Sequence, residues 1–397
     1  MQSLETNRRS LLAGAAALGL ASSAQIAFAQ TAGPRKVVFV ILRGALDGLA
    51  AVAPYGDSRY HDLRPRLALA PPGQAGGVLP LSDGFGLHPN LQFLKTSWDA
   101  RELAIVHAAS SPYRDRSHFE GQDVLESGGT ATYGTQDGWL NRALAASPTH
   151  GEGVAIGEVV PLVLRGSAPA SSWAPSVAPE PASDTLQRLT DLYANDAVLG
   201  PALARAVATD AMVGDTGMQE QGGMGRGRYA ALNVLTEAAA RLLAPANGPC
   251  AAVASFDGWD THANQGSTNG ALAARLQALD GAFAALKHGL GDRWNETVVV
   301  VATEFGRTVA ENGTGGTDHG TGGVSFVLGG AVRGGRFHGD WPGLSQQALF
   351  QGRDLAPAND VRAVFAGVLQ AQWGLDDAVL RSRVFPGLQA PMQGLVA

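Results

Sequence analysis

Two runs of apolar, mostly β-branched residues constrain this chain more than anything else in it: Lys36 to Leu42 (KVVFVIL) and Thr297 to Thr303 (TVVVVAT). A strand buried on one face alternates apolar and polar residues. A continuous run is covered on both faces, as in parallel sheets packed between helices. Weaker runs of the same kind occur at Leu103 to His107, Ala251 to Ser255 and Val324 to Leu328. Helical patterns fill the intervals, at Gly121 to Glu126, Leu140 to Ala146, Thr185 to Tyr193, Tyr229 to Leu243, Ala271 to Leu290 and Val361 to Leu369. Strands alternating with helices predict an α/β three-layer sandwich around a largely parallel central sheet.

In such sheets ligands bind beyond the carboxyl ends of the strands, and the motifs that carry chemistry follow strands here. The third run leads into Asp257, Asp260 and His262; the fourth ends on Glu304, with Arg307 one short turn away; Asp318 and His319 lie in a loop with glycines on both sides. Carboxylates and imidazoles gathered at strand ends supply oxygen and nitrogen ligands to divalent metals. Arg307 is placed to hold an anionic group, or to pair with Glu304. After the first run, Asp47 stands in a glycine-bracketed loop, as a metal ligand or as a turn cap. After the second, Ser117 and Glu120 form an S-x-x-E capping box that starts a helix. A helix N-terminus also favours negative charge on a serine oxygen, so Ser117 reads equally as cap or nucleophile, with Arg116 and His118 beside it for cationic or acid–base work.

The N-terminus reads as an address. Arg8 and Arg9 precede an uncharged run, Leu11 to Ala21, and Ala27-Phe28-Ala29 is a small-residue cleavage signature. The run is short for a membrane span of about 20 residues, and Thr6 to Leu12 fits the twin-arginine pattern used by proteins exported folded. The expectation is a signal over residues 1–29 and one domain over 30–397, in the periplasm or outside the cell. The chain carries 29 Lys and Arg against 35 Asp and Glu, with no basic run after the leader, which excludes nucleic acid as a partner. A single cysteine, Cys250, excludes an internal disulfide and reads as a core thiol.

Two stretches interrupt the pattern. Gly166 to Ser183 is rich in Pro, Ser and Ala and reads as an extended excursion; Gly214 to Gly227 is glycine-rich. The helical material around them makes residues 166–245 a candidate cap or insertion. A weaker reading uses Trp139, Trp173 and Trp259 as an exposed carbohydrate-binding platform.

Several motifs in fixed order resemble the exported bacterial family called domain of unknown function 1501, within the alkaline phosphatase and sulfatase superfamily. They are the Arg-Gly-x-x-Asp-Gly loop at Asp47, Pro54-Tyr55-Gly56, Phe85 to Pro89, Arg116 to Phe119, Gly138-Trp139-Leu140, Asp257 to His262, Glu304 to Arg307, Gly316 to Gly320 and Gly352 to Leu355. The resemblance implies an alkaline-phosphatase-like fold with a helical cap. It implies one or two divalent ions, with zinc, manganese, magnesium and calcium all open, held by Asp47, Asp260, His262, Glu304, Asp318 and His319. It implies Ser117 as nucleophile, with Arg116, His118 and Arg307 around it, acting on a small-molecule or polymer phosphate or sulfate ester. The superfamily's Asp-His pair after the fourth strand is Glu304-Phe305 here, one imidazole short. The resemblance also implies a second reading, a non-catalytic exported binding or assembly protein that works with another exported protein.

Overall fold

The computed structural model describes residues 35–148, 151–175, 183–213 and 230–397; residues 1–29, read as a signal, and the glycine-rich stretch Gly214 to Gly227 lie outside them. Twelve strands are described. They are β1 (Lys36–Arg43), β2 (Val52–Ala53), β3 (Leu79–Pro80), β4 (Gly86–Leu87), β5 (Leu103–Ser110), β6 (Gly153–Ile156), β7 (Ala170–Trp173), β8 (Ala251–Asp257), β9 (Thr297–Ala302), β10 (Gly323–Leu328), β11 (Arg336–His338) and β12 (Asn359–Asp360). Nine of them form one sheet in the order β11-β5-β10-β9-β1-β8-β6-β7, with β12 also on β5. β1 is central and pairs in parallel with β8 and β9, and β6 runs parallel to both β7 and β8. β10 alone runs against the rest, antiparallel to both β5 and β9. The sheet is therefore mostly parallel, as expected, with one reversal at the strand read from Val324 to Leu328.

The alternation along β1 builds the layers. Val37, Phe39 and Ile41 belong to a core on one face, with Trp139, Leu140, Phe365 and Phe385. Val38, Val40 and Leu42 belong to the core on the other, with Leu272, Leu276, Leu279 and Phe283. Successive side chains in a strand point to opposite faces, which is why β1 has no polar residue between its ends. The Phe39 ring meets Trp139 and Phe365 edge-on at 5.1 and 5.2 Å. The helix Ala271–Leu290 spans the predicted range, and Trp139–Ala146 and Val361–Trp373 lie on the opposite layer.

Three expectations are corrected. Gly166 to Ser183 is not wholly an excursion, because Ala170–Trp173 forms the sheet's edge strand β7. In the stretch read as a cap, Ala238, Ala239, Ala240, Leu242 and Leu243 sit in the same core as β8 and the Ala271–Leu290 helix, so the helix Ala230–Leu243 belongs to the sheet-covering layer. Trp139, Trp173 and Trp259 are all buried and offer no platform. Cys250 is buried and free, as read. None of the described helices is long and apolar enough to cross a membrane.

Candidate metal centre

Four segments meet at one edge of the sheet. Asp260 and His262 follow β8, Glu304 follows β9, and the helix His118–Ser127 follows β5. All three strands present their carboxyl ends there. His319 precedes β10; because that strand is reversed, its beginning lies at the same edge. The loop from β9 to β10 is pinned by an antiparallel bridge between Arg307 and His319. It also closes against the β8 loop at Gly316, where a Cβ would stand 2.4 Å from the backbone of His262, so only glycine fits.

Ligand atoms of His118, Asp260 and His319 lie within 4.8 Å of one another, the single such group among the described residues. His118 Nε2 is 2.9 Å from His319 Nε2, and His262 Nε2 is 3.0 Å from it. Asp260 Oδ2 lies 3.4 Å from His118 Nε2, and Oδ1 lies 3.1 Å from His262 Nε2 and 3.4 Å from His319 Nε2.

What stands behind each ring fixes what it presents. His118 Nδ1 is 2.7 Å from Glu304 Oε1, His262 Nδ1 is 3.0 Å from Asp318 Oδ1, and His319 Nδ1 is 2.9 Å from the Arg116 carbonyl. All three partners are acceptors, so each Nδ1 carries the hydrogen and donates it. In the neutral ring Nε2 is then a bare lone pair. Three such lone pairs and a carboxylate converge on one region, an arrangement that a cation satisfies and no set of neutral rings can. A carboxylate or carbonyl behind each imidazole is the usual support of a metal-binding histidine. His118, Asp260 and His319 could thus hold a metal ion, with His262 adjoining.

Glu304 is fully buried and accepts at Oε1 from the Gly44 N–H at 2.8 Å and Gln122 at 3.2 Å as well as from His118. Burial opposes its charge, but the His118 hydrogen bond and the backbone donors hold its pKa below the ordinary value. Asp260 is likewise held down against burial by the hydrogen bond and charge of Arg307, whose Nη1 donates to Oδ1 at 2.7 Å. His118 is raised by its hydrogen bond to Glu304, whereas burial and the neighbouring His118 push His319 down.

Several sequence assignments move by one shell. Glu304 and Asp318, read as ligands, stand behind His118 and His262. Arg307, read as holding an anion or pairing with Glu304, is buried against Asp260 and the Thr317 carbonyl. The Arg116 guanidinium is engaged by Asp354 at 2.7 Å and by Gln351, and its left-handed backbone, φ 62°, turns the carbonyl to His319. Asp47 lies outside the cluster: Oδ2 accepts from Arg64 and Gln265, both at 2.7 Å, and Oδ1 caps a short helix through Leu49 N–H. Ser117 is the N-cap residue, as read, but its side chain makes no capping hydrogen bond, and Glu120 accepts from Tyr113 instead. His118, read from sequence as an acid–base group beside Ser117, enters the cluster through Nε2. The sequence signal for it was its position at a helix start after a strand.

A mixed α/β sandwich with a histidine–carboxylate cluster at the carboxyl edge of its sheet is the class defined here. Residues 95–384 match the family described as Protein of unknown function (DUF1501), and the chain belongs to it. No curated protein matches. The alkaline phosphatase of the Antarctic bacterium TAB5 is 13% identical over 77% of this chain and 94% of its own, with a TM-score of 0.33. A phosphonate monoester hydrolase of Agrobacterium radiobacter is 12% identical over 77% and 70%, with a TM-score of 0.32. Murine ectonucleotide pyrophosphatase/phosphodiesterase 5 is 10% identical over 69% and 57%, with a TM-score of 0.28. At these scores the likenesses say nothing about the site.

Proposed function

We propose that this chain is an exported, metal-dependent hydrolase-like protein acting on phosphate or sulfate esters. The observation that carries the reading is the convergence of three Nε2 lone pairs and Asp260, each imidazole backed by its own acceptor. A nitrogen-rich set of this kind favours zinc or another transition metal over calcium or magnesium, which prefer oxygen ligands. The residues that would hold it are His118, Asp260 and His319, with His262 completing four. Such an ion supplies Lewis-acid polarisation of an ester oxygen.

The chain's own residues do the remainder. Glu304 and Asp318 keep His118 and His262 in the tautomer that offers Nε2, and Arg307 aims Asp260. Ser117 immediately precedes His118, and its hydroxyl, which makes no cap bond and lies beside Tyr113, is the attacking oxygen in this reading. Export by the twin-arginine route fits a protein that folds around its ion before leaving the cytoplasm.

One observation favours the second reading, a non-catalytic binding or assembly protein. Both arginines expected to hold the ester's anionic group are paired with carboxylates, Arg116 with Asp354 and Arg307 with Asp260. Metal analysis of the purified mature protein, with an aryl phosphate, diester and sulfate panel, decides between them. The enzyme reading expects bound metal and turnover, both lost in His319→Ala. Bound metal without turnover on the whole panel selects the second reading, and no retained metal rejects the enzyme reading.

A further inference from the structure

A cleft of about 360 Å³ opens beside β8, and its wall runs through Asp257, Gly258 and Trp259 directly into Asp260. Its apolar surface comes from Leu232 and Leu235 on one helix and from Phe256 and Trp259. Arg275, on the Ala271–Leu290 helix, supplies the cation. Among the described residues, Arg275 forms no ion pair, and its buried Nη1 has no hydrogen-bond partner. The guanidinium lies against Gly258, where a Cβ would come within 2.9 Å of Nε and 3.3 Å of Nη2. A side chain at position 258 would therefore contest the space the guanidinium occupies.

An arginine with a desolvated, unpaired N–H is costly, because that donor has given up water and gained nothing. The arginines placed above each have a carboxylate: Arg64 has Asp47, Arg116 has Asp354 and Arg307 has Asp260. Arg275 differs in facing a cavity. The volume falls in the range of small-ligand sites, which combine apolar walls with a few placed polar groups. The exposed Asp257 at the rim leaves room for one negative charge at the guanidinium and disfavours a polyanion.

We propose that this cleft binds a singly anionic group, carboxylate, sulfonate or monoester, carried on an apolar body. The anion meets the accessible part of the half-buried Arg275 guanidinium that lines the cleft, and the apolar part lies along Leu232, Leu235 and Phe256. The inference does not depend on turnover at the metal centre, since it concerns binding alone.

The probe is 1-anilinonaphthalene-8-sulfonate, titrated into the folded, metal-loaded protein and followed by its own emission and by energy transfer from tryptophan, with hexanoate as competitor. Saturable binding of one equivalent, displaced by hexanoate, is expected. Arg275→Gln should weaken the sulfonate by about ten- to a hundred-fold, the range for a lost charge-assisted hydrogen bond, and leave the uncharged parent N-phenyl-1-naphthylamine unchanged. Leu232→Glu, which keeps Arg275 and puts a like charge on the opposite wall, should weaken the sulfonate similarly; it carries the test alone if Arg275→Gln fails to fold. No saturable binding to wild type overturns the proposal. So does sulfonate affinity unchanged in Arg275→Gln, or in Leu232→Glu where only that variant folds. Weakening of the neutral probe by the same factor as the sulfonate also overturns it.

Discussion

Asp47→Ala separates a ligand from a structural carboxylate. Asp47 and Arg64 are both fully buried. The Arg64 guanidinium donates Nη1 to Asp47 at 2.7 Å, Nε to the Val309 carbonyl at 2.7 Å and Nη2 to the Thr308 carbonyl at 2.8 Å. It cannot follow Asp47 out into water without breaking the last two bonds. Burial alone would raise Asp47, but the charge and hydrogen bond of Arg64 and the bond from Gln265 hold it below the ordinary carboxylate value. Removing it leaves a cation in the interior with no counter-charge, a loss of roughly 3–5 kcal/mol. The metal centre should keep its stoichiometry, because Asp47 contributes no atom to it.

Urea unfolding of the metal-loaded protein, with metal content determined on the folded fraction, measures both quantities. Asp47→Ala combined with Arg64→Met should recover a large part of the loss, since the orphaned charge goes with its partner. A variant that unfolds within about 1 kcal/mol of wild type yet loses its metal would refute this account and return Asp47 to the ligand set.

Further outcomes follow from the same geometry. Glu304→Gln should weaken metal binding by about 10–100-fold, the usual effect of losing the group behind a ligating histidine; competition with a chromogenic chelator measures it, and unchanged affinity would mean that Glu304 does not orient His118. Ser117→Ala should unfold with wild type, below the ~0.5–2 kcal/mol of a lost cap, because no capping bond is present; Ser117→Asn should keep the metal and lose any ester turnover. His107 is fully buried, and burial lowers its pKa to about 4, so between its ordinary 6.5 and that value the unfolded chain binds the extra proton. Its contribution is intact above pH 6.5 and falls by about 3 kcal/mol as the pH drops to 4; His107→Gln should flatten that part of the stability profile, and an unaltered slope contradicts the assignment. Replacing Arg8 and Arg9 by Lys should leave uncleaved precursor in the cytoplasm, whereas normal export would dismiss the twin-arginine route.

The layers were legible because burial on both faces of β1 and β9 is written in consecutive residues, and no local competitor produces a run such as TVVVVAT. The reversal of β10 was not, since Val324 to Leu328 is equally apolar in either direction. Direction follows from the loop between Ala302 and Gly323, which folds back on itself so that its ends meet where the Gly306 N–H donates to Thr321 O at 2.9 Å. Likewise, β7 hides in a Pro- and Ser-rich stretch because an edge strand needs only four residues and one buried face, and Ser171 and Trp173 supply it.

At the site, composition was readable and orientation was not. The residues named from sequence are nearly all present, but a carboxylate facing a cation and one facing the back of an imidazole are the same letter. Asp318 and His319 are adjacent in an extended segment bridged to Arg307, so alternation sends their side chains apart. With His319 turned to the cluster, Asp318 reaches the far nitrogen of His262 and the side-chain amide of Asn312. Glu304 is decided by a contact 186 residues away in sequence, since His118 enters from another strand's helix and takes the position in front of it. Arg307 is decided in the same way by Asp260, 47 residues distant. Each pairing couples two strand ends that only the closed sheet makes neighbours. A carboxylate at such an end is a ligand when nothing arrives in front of it and a buttress when an imidazole does.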